Sequence, residues 1–113
     1  MPKNDVVRLR HMLGAATEAL SFARGYTRSE LDRNRMLTLS LVKSIEIIGE
    51  AAANVSAETR GRYSEIPWLS IIGIRNRLIH AYFDINLDRV WDTVTEDLPP
   101  LIAALEKIIP PED

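Results

Sequence analysis

The sequence predicts an all-α fold, an antiparallel bundle of four principal helices with one short extra helix, in a single domain covering residues 1–113. Three observations carry that reading. Apolar residues recur at alternating intervals of three and four along most of the chain, the period of a helix with one buried face. Capping residues, glycine and proline fall where those periodic stretches begin and end. At 113 residues, 46% hydrophobic and 27% charged, the chain has the composition of one ordinary globular domain with a modest core.

The first helix is expected from about Asn4 to Arg24, with Val6, Leu9, Leu13, Ala16, Leu20 and Ala23 on its apolar face. Asn4 or Asp5 is the expected cap, and Gly25 the stop. His11 falls on this helix without an obvious partner and reads as a surface histidine. Thr27-x-x-Glu30 is a capping-box pattern that opens a second, longer helix, because hydroxyl and carboxylate together satisfy free amides at a helix start. Its apolar face is Leu37, Leu41, Ile45, Ile48, Ala52 and Val55, and it ends near Asn54, with a break or bend allowed between Asp32 and Arg35. Gly49 costs about 1 kcal/mol of helix propensity relative to alanine, which points to close helix packing there. Glu46 and Glu50 are one turn apart; solvent exposure is the expectation for Glu46, and pairing with an arginine is open to Glu50.

Ser56 to Ser64 is polar and reads as a loop with one short helical turn. Pro67 starts the third major helix, since a proline in the first turn gives up no needed amide. Ile71, Ile74 and Leu78 share a face of it, and Arg75 projects into the same apolar stripe, where an unpaired charge would be costly. Phe83 to Asn86 is a short connection with Asp84 or Asn86 as cap. The last helix carries Leu87, Val90, Val94, Leu98, Leu101, Leu105 and Ile108, with its axis bent at Pro99-Pro100.

The stretch richest in chemistry is Arg75-Asn76-Arg77-Leu78-Ile79-His80-Ala81-Tyr82. A guanidinium holds a phosphate through a planar fork of donors, and an imidazole moves a proton near neutral pH. Those are the parts that metal-free cleavage of a phosphodiester requires. Arginine and histidine at this spacing also decorate ordinary solvated surfaces, but here Ile71, Ile72, Ile74 and Ile79 surround them with apolar residues. On one regular helix Arg75 and His80 would lie about 140° apart. Either the helix loosens near its end or a two-fold axis brings two copies into one cleft, and the width of the apolar stripe favours the second.

Composition excludes other classes. With no cysteine there is neither a disulfide framework nor a thiolate metal site, and His11 and His80 lack zinc-ligand spacing, so no metal and no cofactor is expected. No apolar run approaches a bilayer span, and Met-Pro-Lys-Asn-Asp lacks a secretory apolar stretch, so the expected location is the cytoplasm, with no membrane contact. Charge is uneven: residues 1–83 hold 12 Lys/Arg against 8 Asp/Glu, and residues 84–113 hold 2 against 8. That layout offers RNA a local cationic surface, and it equally suits a solvated helix surface.

The octapeptide, together with Glu65-Ile66-Pro67-Trp68, Ile71-Ile72-Gly73-Ile74, Ile47-Ile48-Gly49-Glu50-Ala51, Val90-Trp91 and Leu98-Pro99, resembles the HepT-like branch of the HEPN superfamily over essentially the whole chain. The resemblance implies an all-helical toxin of a toxin–antitoxin system, acting as a metal-independent ribonuclease with paired sites at a homodimer cleft. Arg75 matches the family arginine, His80 the histidine and Tyr82 the tyrosine, and Asn76 fills the polar position after the arginine. It further implies an antitoxin of the nucleotidyltransferase type, bound to the homodimer or in a larger hetero-oligomer, that silences the toxin by adding adenylate to the motif tyrosine.

On this reading His80 serves as general base or acid and Arg75, with Asn76, stabilises charge on the phosphate. Tyr82 orients substrate or His80, or else packs as an aromatic at a helix end. Arg77 is a candidate for holding the RNA backbone, with an exposed surface role as the alternative. Trp68 and Trp91 read as core or dimer anchors. A different class of function is also open: a non-catalytic helical module that binds a nucleotidyltransferase partner without cutting RNA.

Overall fold

A computed structural model describes residues 1–81 and 84–111, with the backbone alone described for residues 79–81. The chain is mostly helical. Helix α1 (Lys3–Ala23) and helix α2 (Arg35–Ala53) form the most extensive pair, and the C-terminal helix packs against α1. Small residues let the two long helices approach closely. Ala15, Ala16, Ala19 and Ala23 are buried on α1 beside Leu9 and Met12. Its buried face is therefore rotated from the one expected: Met12, Ala15 and Ala19 join it, whereas Leu13 and Leu20 pack at its margin. On α2 the expected face holds throughout, with Leu37, Leu41, Ile45, Ile48, Ala52 and the following Val55 all buried.

The start of α1 departs from expectation. The helix begins at Lys3, after Pro2, and Asp5 is not its cap. Asp5 is buried, and its carboxylate accepts hydrogen bonds from the Ser56 amide at 2.9 Å, the Ser56 hydroxyl at 2.6 Å and the Thr59 hydroxyl at 2.6 Å. Burial pushes the Asp5 pKa up, but these hydrogen bonds outweigh it and hold the acid below its ordinary value. The carboxylate thus ties α1 to the start of α3 (Ala57–Arg62), whose cap is Ser56.

Gly25 ends the first helical stretch in the left-handed region, at φ 83°, as a stop residue should. Thr27 and Glu30 form the expected capping box, although it opens only a short 3₁₀ turn, Arg28–Asp32. The chain then breaks, and Asn34 caps α2 by accepting from the Leu37 amide at 3.0 Å.

The third expected helix is not continuous. It is divided into α4 (Trp68–Ile72) and α5 (Ile74–Leu78), with Gly73 between them. After Leu78 the backbone extends: β1 (Ile79–Ala81) pairs antiparallel with β2 (Asp84–Ile85), Ile79 opposite Ile85 and Ala81 opposite Asp84. The Asn86 amide closes this hairpin on the Leu78 carbonyl at 2.8 Å. Branched residues at 79 and 85 suit paired strands better than a helix end.

The C-terminal helix runs as α6 (Leu87–Asp92), a π-helical turn (Thr93–Asp97) and α7 (Leu98–Ile108). Pro99 and Pro100 lie in the first turn of α7, and each ring would press on the carbonyl four residues back, at Thr95 and Glu96. The widened turn at those residues relieves that crowding, so the expected bend takes the form of a π turn just ahead of the prolines. Val90, Val94, Leu98, Leu101 and Leu105 keep one buried face through it. Among the described residues no helix is long and apolar enough to cross a membrane.

Candidate functional site

The site begins with the contact between α2 and the α4–α5 segment. Gly49 makes that contact close: a Cβ at this position would lie 3.3 Å from the Ile71 carbonyl oxygen and 3.8 Å from that of Ile72. Trp68 anchors the same segment from the other end, buried, with its indole Nε1 donating to the Tyr63 carbonyl at 3.0 Å. Ile71 and Leu78 bury the inner face of the segment. What remains outward on α5 is polar.

Arg75 is therefore not submerged in the apolar stripe. Its side chain is 56% exposed, and its Nε lies 3.6 Å from Glu46 Oε1 on α2. At that separation the pair is a loose ion pair and not a hydrogen bond. The guanidinium is steadied, and its donors stay open to a phosphate. The acid that faces the motif is thus Glu46, while Glu50 is exposed, the reverse of the expectation for these two carboxylates. Nothing in their local sequence distinguishes them; only the packing of α4 and α5 over α2 does.

Asn76, next in the chain, is exposed and adjoins the arginine. Arg77 faces elsewhere. Two positions along a helix turn a side chain by about 200°, and Arg77 Nη2 donates to the Ser70 carbonyl at 2.8 Å and contacts the Ser70 hydroxyl at 3.1 Å. It also lines a pocket of about 310 Å³ together with Ile45, Ile71, Asp97 and Leu101. Arg75 and Asn76 do not line that pocket, so the structure separates Arg77 from the pair it follows in sequence.

His80 lies on β1, beyond the end of α5, so the motif spans a helix and a strand instead of one regular helix. The side chain of His80 lies outside the described residues, as does Tyr82, and the expectations attached to those two groups rest on sequence. The helix that follows the hairpin is tied to the turn before α2. Arg28 Nε donates to Asp88 Oδ1 at 2.6 Å and Arg28 Nη1 to Asp32 Oδ2 at 3.3 Å. The Asp88 hydrogen bond keeps the Arg28 guanidinium more firmly protonated than usual. This tie fixes the start of α6, three residues after β2, to the turn before α2. Arg28 and Asp88 are sixty residues apart, and sequence periodicity carries no signal for such a pair.

These features define a class: a small, mostly helical protein that presents an exposed arginine and amide on a short helix leading into a histidine-bearing hairpin. The chain belongs to the ribonuclease HepT-like family, whose model matches residues 12–108. It is 34% identical over 104 residues to the "Putative RNase" of Caldanaerobacter subterraneus subsp. tengcongensis, covering 92% of this chain and 93% of that one. A protein of the same name from Methanocaldococcus jannaschii is 33% identical over 107 residues, 94% of this chain and 98% of its own. The "Probable ribonuclease HepT" of Thermococcus cleftensis is 39% identical over 69 residues, 61% of this chain and 63% of its own. No solved structure matches.

Proposed function

We propose that this protein is an RNA endonuclease that needs no metal ion, the toxin of a toxin–antitoxin system acting in the cytoplasm. Its working form on this reading is a homodimer of bundles with four principal helices, in which the two motif segments share a cleft. The observation that carries the reading is Arg75: half exposed, only loosely held by Glu46, beside the exposed Asn76, and on the segment that continues into His80.

The chemistry follows from these groups. His80 takes the proton of a ribose 2′-hydroxyl, whose oxygen forms a bond to the adjacent phosphorus as the bond to the 5′-oxygen breaks. His80, its own or that of the second copy in the cleft, returns a proton to that leaving oxygen, giving a cyclic phosphate and a free 5′-hydroxyl. Arg75, with Asn76, stabilises the charge growing on the non-bridging oxygens, an effect typically worth about 10²–10³ in rate per donor. Arg77 is assigned a lesser part, because its engagement with Ser70 turns it away from Arg75. Tyr82 orients substrate or His80, and it is the residue to which a nucleotidyltransferase-type antitoxin adds adenylate. The added negative charge and bulk then occupy the place of an RNA phosphate.

Incubation of the purified protein with RNA in chelator, comparing wild type with His80→Ala, tests the activity. Cleavage by the wild type alone, with cyclic-phosphate ends, is the expected result. RNA left intact by the wild type, in a chain that still binds a nucleotidyltransferase, would favour a non-catalytic interaction module. For the control step, co-expression with that partner should add the mass of one adenylate to the wild type and none to Tyr82→Phe.

A further inference from the structure

Beside the hairpin that carries His80, on its β2 side, lies a second concavity of about 230 Å³. Ile85 of β2 and Leu87 of α6 form one wall, and Asp32 and Arg33 of the turn before α2, with Arg35 and Thr38 of its first turns, contribute the other. Ile85 pairs with Ile79, the residue before His80, so this concavity sits one strand over from the motif histidine. Arg33 and Arg35 are both exposed. Neither guanidinium has a hydrogen-bond or ion-pair partner among the described residues, whereas that of Arg28 is engaged by Asp32 and Asp88.

That difference is informative. Arg28 draws the nearby carboxylates Asp32 and Asp88 to itself, and the polar edge of the concavity is left with two guanidiniums that no carboxylate of the described residues pairs with. The Thr38 hydroxyl is already spent on the Leu31 carbonyl at 3.0 Å. Two uncompensated guanidiniums in a concave setting suit a phosphate, which each can grip through two parallel donors.

We propose that Arg33 and Arg35 form a phosphate subsite for single-stranded RNA, holding the strand beside the motif hairpin while Arg75 and His80 act on the scissile bond. The proposal rests on the ribonuclease reading of the motif. It assigns Arg33 and Arg35 to substrate binding, with no part in the chemical step. Loss of the pair therefore raises KM and leaves kcat nearly unchanged, the signature of contacts made equally in the bound state and the transition state.

The test measures binding and cleavage separately. Binding of a fluorescent single-stranded RNA, made uncleavable by 2′-O-methyl substitution throughout, is followed by anisotropy from low to moderate salt for wild type, Arg33→Ala/Arg35→Ala and the single-charge control Lys107→Ala on α7. Each phosphate contact to a single strand contributes about 0.7 to the slope of log K against log salt, so the double variant should lose about 1.4 of that slope. Its affinity should fall about tenfold or more near 0.1 M salt, while Lys107→Ala tracks the wild type. On cleavable RNA its KM should rise by a similar factor, with kcat within about twofold. Wild-type affinity and slope in the double variant, with cleavage intact, would overturn the subsite alone. A wild type that binds the strand through these arginines but never cuts RNA would overturn the nuclease reading and leave the subsite standing. A wild type that neither binds nor cuts would overturn both.

Discussion

Along α1 and α2 the side chains removed from water are nearly all apolar, with Leu9, Met12, Ala16 and Ala19 on one helix and Leu41, Ile45, Ile48 and Ala52 on the other. From Gly73 to Asn86 the chain instead passes from a short helix into a hairpin, and Arg75, Asn76 and Arg77 stand exposed. The segment leading into the second region meets the first at Gly49, where the backbone of Ile71 and Ile72 and the Ile74 side chain come close against α2. The long pair gains about 1.5–3 kcal/mol for each large apolar side chain it buries. The motif segment gains little of that kind, and its arginine is only loosely engaged. On the proposed mechanism stability and chemistry are carried by different stretches, and substitutions should separate them.

The largest effect is expected on cleavage. Arg75→Ala should lower the rate about 10²–10³-fold, since it removes the charge aimed at the phosphate oxygens. Arg75→Lys should recover only part of this, because an ammonium lacks the planar fork. Rate measurements under single turnover check both, and urea midpoints should barely move, because a half-exposed ion pair at 3.6 Å contributes little to stability. In the other region the order reverses. Leu41→Ala, at a fully buried position, should cost about 2–5 kcal/mol in urea unfolding, with cleavage preserved in the fraction that remains folded.

Asp5 extends the contrast to a buried polar tie. Asp5→Ala leaves the Ser56 and Thr59 hydroxyls and the Ser56 amide without their acceptor, at a cost of about 1–3 kcal/mol. Because the folded protein holds this acid below its ordinary pKa of 3.8, its stabilisation is present above that pH and is lost as pH falls through the lowered folded value. Urea midpoints measured on acidification should therefore fall for the wild type, and Asp5→Asn should flatten part of that fall.

Gly49→Ala gives a small change in stability and the sharpest test of the boundary. The gain in helix propensity, about 1 kcal/mol, offsets the crowding of a Cβ set 3.3 Å from the Ile71 carbonyl. The net change should stay within about 1 kcal/mol. Relief of the crowding moves the segment that carries Arg75, so cleavage should fall severalfold more than stability accounts for.

The two regions were also unequally legible in the sequence. Apolar periodicity read the buried face of α2 and the turn after it at all six positions from Leu37 to Val55, and capping signals placed the Gly25 stop and the Thr27–Glu30 box, although the box opens a 3₁₀ turn and not the long helix. These are local signals, set by spacing along one helix. The role of Asp5 and the choice of Glu46 over Glu50 depend on partners at least 29 residues away in the chain, to which periodicity is blind. The division of the third helix at Gly73 was missed for a related reason: Ile71, Ile74 and Leu78 keep helical spacing across the break. Within the motif, chemistry singled out Arg75 and Asn76, which the structure leaves exposed, and it grouped with them Arg77, which the fold turns toward Ser70.

The most direct measurement of the separation between scaffold and site is a crossed one on wild type, His80→Ala and Leu41→Ala, recording RNA cleavage in chelator at low temperature and the urea midpoint of each preparation. His80→Ala should lose cleavage by about 10²-fold or more and keep its midpoint. Leu41→Ala should keep cleavage while folded and lose a large part of its midpoint. A His80→Ala protein that still cuts RNA at the wild-type rate, or a folded Leu41→Ala protein that does not cut, would contradict the account.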